Sequence, residues 1–422
     1  MNAVKVSVIL PVYNPGEGVI KCIKSLQNQT LKDIEMIFVD DHGTDDSIDK
    51  IMAAAASDSR IRILTYSKNM GPGFARNAGI EASRGEYLSF IDPDDYVAED
   101  FYDLLYKKAK EGDYDIVKGQ IKYVLEDGTP FPRENINDHI RANLKKGKPL
   151  YLCFNYQHQS AIYRRQMVME SGARYGLARR AQDNTFLLKA CNGAATFETE
   201  DPAIYYFCER GTSTMHTIKV NTLLDLAFSF KEQVDYVSTH LASDPWAIQY
   251  ISILVHTNMR FSMRYEGVQE YEPILKIFVK KTKKQLLRLP FYDELKEQSF
   301  PIRVMVEKGT VLPIIPGLLP WEHSNIHKWS ALIKRWVDFM SANPSYSQCH
   351  KAEKWLCTLC FKMEETGKEE GKENEAHRMI RELIHPLSLS SKLNLLYYYL
   401  LYTAAKYAPR WVHDLRLKMT RK

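Results

Sequence analysis

The sequence has little of what marks secreted, membrane-spanning or nucleic-acid-binding proteins. Its longest apolar run, 393–405, has about 13 residues, whereas a membrane-spanning helix needs roughly 20. The seven cysteines are an odd number, and strand-like sequence begins at Val4 with no charged and apolar leader, so we expect free thiols in a reducing, cytoplasmic compartment. The charged residues, 57 Lys and Arg against 52 Asp and Glu, leave too small a basic surplus to require nucleic acid, and we expect no such partner.

Two familiar ligand-binding signatures are also missing. The turn Gly71-Pro72-Gly73 leads into neither a lysine-containing phosphate loop nor a GxGxxG fingerprint, which argues against a P-loop enzyme or a dinucleotide dehydrogenase. Cys357 and Cys360 form a CxxC pair in an apolar helical context, but a zinc site would need a second well-spaced pair. We therefore favour buried thiols there.

The chain divides into two parts that differ in charge and in pattern. Residues 1–120 contain 14 basic and 20 acidic residues, and the remainder contains 43 basic and 32 acidic residues. Strand and helix signals alternate as far as about residue 215, whereas the sequence from 216 to 422 shows long helical patterns without strands. We expect an α/β domain over 1–215 and a mainly α-helical region over 216–422.

The α/β part predicts where a site should lie. β-branched and apolar runs at 4–10, 34–39, 61–66 and 87–91 alternate with amphipathic helical segments, which predicts a mostly parallel sheet flanked by helices. Ligands in such sheets bind beyond the carboxyl ends of the strands. The segments 11–14, 40–45 and 92–95 are therefore the candidate site.

Acidic residues cluster at two of these strand ends. Asp40 and Asp41 follow the second strand, and Asp92, Asp94 and Asp95 follow the fourth. Neighbouring carboxylates repel one another, and a divalent cation or sugar hydroxyls would offset that cost. Asp45 is more simply explained as a cap at the start of a helix.

Five sequence blocks together resemble the family 2 glycosyltransferases of the GT-A fold, in the order expected of bacterial polysaccharide and glycan glycosyltransferases. The blocks are Val6 to Asn14 (VSVILPVYN), Gln27 to Thr30 (QNQT), Val39 to Asp41 (VDD), Asn69 to Gly79 (NMGPGFARNAG) and Phe90 to Tyr96 (FIDPDDY). The resemblance implies an α/β fold of the nucleotide-diphospho-sugar transferase type. It covers the first half of the chain only.

The resemblance implies a nucleotide-sugar pocket that includes Pro11 and Tyr13, with the Tyr13 ring against the base. Asp41 would accept a hydrogen bond from the base, and Arg76 would reach the base or the diphosphate. Asp92 would lie near the ribose. The alternatives are a core aromatic for Tyr13 and a surface salt bridge for Arg76.

The resemblance also implies a metal and a catalytic base. Asp92 and Asp94 would form the DxD pair that holds Mg²⁺ or Mn²⁺ on the diphosphate, and His158 or His216 could complete the metal shell. Asp183, which follows Gln182 where the family has glutamate, would be the general base. Its alternative is a plain helix cap, and the basic residues Arg174, Arg179 and Arg180 should keep it ionised.

Together these features predict a metal-dependent inverting glycosyltransferase. It would move a sugar from a nucleotide-diphosphate donor, UDP-linked by resemblance, to a hydroxyl of a glycan or lipid-linked oligosaccharide. A non-catalytic sugar-nucleotide-binding scaffold and a sugar-nucleotide hydrolase are the alternatives. The region 216–422 would shape the acceptor side, form a homo-oligomer or dock on a membrane. Its basic, tyrosine-rich end, 390–422, fits either an anionic membrane surface, and so a peripheral location, or packing against other helices.

Overall fold

The computed structural model describes residues 3–125, 127–131, 133, 135–154, 157–209, 220–262, 272–298, 300–308, 326–342, 356–357, 360, 363–364 and 366–387. They form two compact units, Met1–Tyr250 and Ile251–Lys422. His216 and the tail 390–422 lie outside the described residues. The domain boundary near 215 falls in an undescribed stretch as well and stays a prediction.

The first unit contains one nine-stranded sheet. Its strands are β1 (Val6–Val12), β2 (Ile34–Asp40), β3 (Ile61–Thr65), β4 (Tyr87–Phe90), β5 (Tyr96–Val97), β6 (Ile116–Leu125), β7 (Pro130–Phe131), β8 (Ala161–Arg164) and β9 (Phe197–Glu209). The strand order is β3-β2-β1-β4-β8-β6-β9-β5, with β7 beside β6.

The helices of the first unit lie between the strands in sequence or follow the last of them. They are α1 (Gly18–Gln27), α2 (Ser47–Ala55), α3 (Pro72–Ala82), α4 (Phe101–Glu111), α5 (Ile136–Leu144), α6 (Leu150–Cys153), α7 (Arg165–Glu170), α8 (Gln182–Gly193) and α9 (Val220–His240), and α10 (Ala247–Ser262) crosses the division between the units. A short 3-10 helix, His158–Ser160, precedes β8.

The described part of the second unit consists of helices joined by turns and short irregular segments and has no strand, as predicted. Its further helices are α11 (Glu272–Leu286), α12 (Tyr292–Gln298), α13 (Phe300–Lys308), α14 (Ile326–Ala342) and α15 (Glu373–Ile384). None of the helices in the described ranges is both long and apolar enough to cross a bilayer. Cys357 and Cys360 are buried free thiols.

The α/β class is confirmed, but the sheet is mixed rather than mostly parallel. β1 pairs in parallel with β2 and β4, and β2 with β3. β8 runs antiparallel to both β4 and β6. With only four residues, β8 is too short to show the alternation of buried and exposed side chains that reveals a strand in sequence.

The core lies on both faces of the central strands. All seven residues of β1 and of β2 are buried, which is why these strands read as continuous apolar runs. α1 buries Val19, Cys22 and Leu26 against this sheet. On α3, a Cβ at Gly79 would lie 2.3 Å from Ile9 Cγ2, so glycine lets this helix approach β1 closely. The close packing fixes α3 against the strand that leads to Tyr13.

Candidate active site

The predicted site residues gather at one end of the sheet. β1 runs parallel to both β2 and β4, so the carboxyl ends of these three strands lie on the same side. Val12 pairs with Asp40, and the Asp41 amide donates to the Val12 carbonyl over 2.9 Å. Pro11 is buried within β1, whereas the Tyr13 side chain beyond the strand is 53% exposed. That exposure excludes a core role for Tyr13 and leaves its ring available as a platform.

Asp41 organises the start of α3. Its two carboxylate oxygens accept the backbone N–H groups of Met70 at 2.6 Å and Gly71 at 2.7 Å, and the residue is 2% exposed. The sequence blocks do not predict this role, since they imply only a contact between Asp41 and the base. Its predicted contact with the base stays a prediction, since each oxygen retains a second lone pair.

The loops around Tyr13 and Asp41 hold each other in place. Asn14 and His42 both adopt left-handed backbone conformations, with φ of 51° and 61°. Asn14 Oδ1 accepts the amide of Thr44 at 2.6 Å. Asp45 accepts the amides of Gly16 at 2.9 Å and Ser47 at 3.2 Å, but the capping position of α2 is Asp46, so the predicted cap lies one residue before the actual one.

Arg76 lies beneath the strand ends and pairs with the first aspartate of the DxD segment. Its guanidinium Nη2 is 2.5 Å from Asp92 Oδ1, and the residue is only 4% exposed, so it is not a surface salt bridge. Within the described ranges, Arg76 Nε and Nη1 are buried without a hydrogen-bond partner. Burial is the largest single influence and raises the pKa of Asp92, but Arg76, His158 and Gln159 together lower it by more, so the net pKa is lowered and Asp92 is ionised at neutral pH.

The three carboxylates after β4 have different partners. Gln159 Nε2 donates to the second oxygen of Asp92 at 3.1 Å. Asp95 is 2% exposed and accepts the Tyr205 hydroxyl at 2.6 Å and the Cys208 amide at 2.8 Å. Burial, followed by Asp94 and Asp92, raises the pKa of Asp95. Asp95 therefore ties the DxD turn to β9, whereas Asp92 and Asp94 are both partly exposed.

These side chains fit a cation that is shared with a substrate better than a preformed metal cage. Across the described residues, no group of three His, Cys, Asp or Glu side chains is placed to hold a metal ion. Mg²⁺ commonly binds through one or two carboxylates and completes its shell with phosphate oxygens and water. Asp94 and Asp92 could supply that protein share.

Asp183 is the second residue of α8 rather than its cap. The capping position is Ala181, which has a left-handed φ of 56°. The Asp183 side chain is 28% exposed, and its Oδ2 lies 3.8 Å from Nδ1 of the buried His158. Burial raises the pKa of Asp183, but His158 and then Arg76 lower it, and the net pKa is lowered. An ionised carboxylate of this kind can accept a proton.

The predicted basic neighbours of Asp183 are not the ones that act on it. Arg174 binds Glu81 with a separation of 2.7 Å, and Arg179 donates to Asn69. His158 and Arg76 lower its pKa instead. Residues close in sequence are not close in space here, because the segment before α8 turns Arg174 toward Glu81 on α3 and Arg179 toward Asn69 in the preceding loop.

The segment before α8 is fixed by contacts that the sequence did not reveal. Asn77 on α3 donates to the Tyr175 carbonyl at 3.0 Å and accepts the Tyr175 amide at 2.8 Å. A Cβ at Gly73 would lie 2.2 Å from the Gly176 carbonyl oxygen, so only glycine fits there. From α9, Ser229 donates to the Ala181 carbonyl at 2.8 Å. Asp183 thus stands on a rigidly held helix end.

Comparison with solved structures identifies the fold. S. aureus TarS 1-349 in complex with UDP-GlcNAc aligns with a TM-score of 0.53 and 18% identity, over 72% of this chain and 91% of that one. The similarity shows a GT-A-like fold, as the sequence blocks implied.

Sequence comparison finds a family match over the first part of the chain. Residues 7–172 match the family described as Glycosyl transferase family 2. Glycosyltransferase GlyG of Streptococcus pneumoniae is 38% identical over 114 residues, which are 27% of this chain and 38% of that protein. Uncharacterized glycosyltransferase EpsJ of Bacillus subtilis is 32% identical over 219 residues, 49% of this chain and 62% of that protein. The chain carries a family 2 glycosyltransferase domain, and it spans less than two thirds of the length of either relative.

Proposed function

We propose that this protein is an inverting glycosyltransferase that moves a sugar from a nucleotide-diphosphate donor to an acceptor hydroxyl. Asp183 would take the proton from that hydroxyl as its oxygen attacks the anomeric carbon. The bond from that carbon to the diphosphate oxygen breaks, and the nucleoside diphosphate leaves with the electron pair. A single ionised carboxylate suffices for this inverting displacement, whereas a glycosidase needs a second, protonated one.

The observation that carries the proposal is the arrangement of Arg76. Its buried guanidinium forms an ion pair with Asp92 and also lowers the pKa of Asp183. One positive charge therefore acts on both the donor-side and the acceptor-side carboxylate. Two of its nitrogens, Nε and Nη1, have no partner in the described part of the chain. Buried donors without a partner cost free energy, and oxygen atoms of a diphosphate are partners that a guanidinium suits.

On the donor side, Tyr13 would stack on the base and Pro11 and Asp41 would shape its pocket. Asp94 and Asp92 would hold Mg²⁺ or Mn²⁺, which supplies charge that stabilises the departing diphosphate. S. aureus TarS is described as a complex with UDP-GlcNAc, and we infer a uridine diphosphate donor for this chain as well. Base stacking of the Tyr13 kind contributes about 1–3 kcal/mol.

The acceptor would be a hydroxyl of a glycan or a lipid-linked oligosaccharide. We propose that the helical region shapes the acceptor side or mediates self-association, and that the basic end 390–422 docks on anionic lipid at the cytoplasmic face. Deleting residues from about 390 onward should then release the protein from membrane fractions. Unchanged partitioning of the truncated protein would rule out this docking.

The test of the function is sugar transfer from labelled donors. Purified protein with Mn²⁺ is incubated with UDP-GlcNAc, UDP-glucose, a GDP-sugar and a dTDP-sugar, each with and without a glycan extract as acceptor. The proposal predicts label on the glycan and faster nucleotide release when the extract is present. Release that ignores the acceptor would indicate a hydrolase, and binding without cleavage would indicate a scaffold.

A further inference from the structure

The turn 157–160 lies between the two candidate carboxylates and is held from below by a buried lysine. Gln157 opens the turn with a left-handed φ of 64°. Lys118 on β6 is 0% exposed, and its Nζ donates to the Gln157 carbonyl at 2.9 Å and to Ser160 Oγ at 2.6 Å. The Tyr163 hydroxyl donates to the His158 carbonyl at 2.9 Å. Both ends of the turn are therefore anchored.

The side chains of this turn point to both halves of the site. Gln159 binds Asp92, the donor-side carboxylate. The preceding side chain, His158, is 2% exposed, and its ring packs edge-on against Phe90 at 6.0 Å and Tyr175 at 5.3 Å between centroids. Its Nδ1 is 3.8 Å from Asp183 Oδ2. One short anchored turn thus spans the donor and acceptor sides.

His158 has an unmet hydrogen-bonding requirement. Within the described residues, neither of its buried ring nitrogens has a hydrogen-bond partner, and 3.8 Å is about 1 Å longer than a hydrogen bond. A buried polar group in this state costs free energy until it is satisfied. Because the ring is held by its aromatic neighbours and Asp183 is partly exposed, a small movement of the carboxylate would close the gap. Catalytic hydrogen bonds are often long before substrate binds.

We propose that His158 is a positioning residue for the base, donating its Nδ1–H to Asp183 Oδ2 when the acceptor binds. This inference rests on the proposed function of Asp183. The carboxylate is an acceptor only, which places the proton on Nδ1. With Oδ2 held, Oδ1 faces the acceptor hydroxyl and takes its proton.

The charges around the ring define the pH behaviour to be measured. Arg76, Asp183 and Asp92 all act on His158, and burial, the largest influence, lowers its pKa, so the ring donates as a neutral imidazole. His158 in turn lowers the pKa of Asp183. Losing the donor should therefore raise the pKa of Asp183 and move the acidic limb of the rate profile to higher pH.

The kinetic test compares three substitutions with UDP-GlcNAc, Mn²⁺ and the glycan extract as acceptor, measuring acceptor-dependent UDP release against pH. His158→Phe keeps the ring shape but removes the donor and should lower kcat about 10- to 100-fold, with the KM for UDP-GlcNAc within about threefold of wild type. His158→Asn keeps a donor near Nδ1 and should recover at least about tenfold of that loss. His139→Phe, on an exposed face of α5, is the control and should match wild type. Equal losses in the Phe and Asn variants with an unmoved acidic limb would overturn the proposal.

A spectroscopic test of the His158–Asp183 contact does not depend on enzyme turnover. In protein labelled with ¹⁵N-histidine, the His158 ring should show the Nδ1–H tautomer, and its signal should shift in Asp183→Asn. An Nε2–H tautomer that ignores Asp183→Asn would overturn the proposal even in an active enzyme. The predicted tautomer in a wild type that never releases UDP would support the positioning contact while refuting the proposed function.

Discussion

Replacing Lys118 by methionine should change how stability depends on pH. Lys118 is fully buried, and its contacts in the described residues are two oxygens of the 157–160 turn and the Phe154 ring, none of them a carboxylate. Burial lowers its pKa from 10.5 to about 7. At about 1.36 kcal/mol per pKa unit, folding is penalised by about 5 kcal/mol wherever the lysine is charged in both states.

The direction follows from proton uptake. Between pH 7 and 10.5 the unfolded chain binds a proton that the folded chain has lost, so stability from this group rises with pH in that window. The penalty is full below pH 7, and by pH 9 about 2.5 kcal/mol of it is relieved relative to pH 6. Lys118→Met removes the penalty at every pH.

The assay is denaturant unfolding of both proteins at pH 6, 7, 8 and 9, followed by a probe of the sheet-containing unit. The stability of Lys118→Met relative to wild type should fall by about 2.5 kcal/mol between pH 6 and 9. Lys118→Met should also slow turnover, because the turn that carries His158 and Gln159 loses its anchor. A constant difference across the pH range would refute the buried, depressed lysine.

Three further predictions concern single side chains. Tyr13→Ala should weaken UDP binding by calorimetry about 5- to 150-fold without lowering the melting temperature, because the ring is 53% exposed, and Tyr13→Phe should bind like wild type. Arg76→Lys keeps the charge but loses the planar fork, so UDP affinity should fall at least about tenfold, and unchanged affinity would remove Arg76 from the site. Glu35 is 2% exposed and forms ion pairs with Arg62 and Arg84. Burial raises the pKa of Glu35, but Ser7 and these arginines together lower it by more, so the net pKa is lowered. Since its folded pKa lies below the unfolded 4.5, Glu35→Gln should cost about 1–3 kcal/mol at pH 7, a difference that shrinks as pH falls below about 4.5 in urea titrations.

The sequence was sufficient for the long central strands and for the edge of the sheet that carries the site. β1 and β2 are buried on both faces, so their apolar runs are long, and parallel neighbours direct their carboxyl ends to the same side of the sheet. It was insufficient for β5, β7 and β8, which have two to four residues and too little periodicity to detect. Their positions depend on partners far along the chain.

Candidate site residues could be proposed from the sequence where they stand in motifs, but not where their position depends on tertiary contacts. Arg76, Asp92 and Asp94 stand in recognisable blocks, and the structure brings Arg76 to Asp92. The sequence suggests only a metal-ligand role for His158, because nothing in its local sequence indicates that it lies beside Asp183, 25 residues later. Lys118 anchors the turn that carries His158, and no sequence pattern predicts that this lysine is buried in β6.

The proposed function assigns metal and donor binding to Asp94 and proton transfer to Asp183, and these two roles can be measured separately. UDP affinity with and without Mn²⁺, and UDP release from UDP-GlcNAc, are measured on wild type, Asp94→Asn and Asp183→Asn in parallel. UDP binding should depend on Mn²⁺ and should weaken at least about tenfold in Asp94→Asn. Asp183→Asn should bind UDP like wild type but turn over about 100-fold or more slowly. Metal-independent binding, or full turnover by Asp183→Asn, would contradict the proposed function.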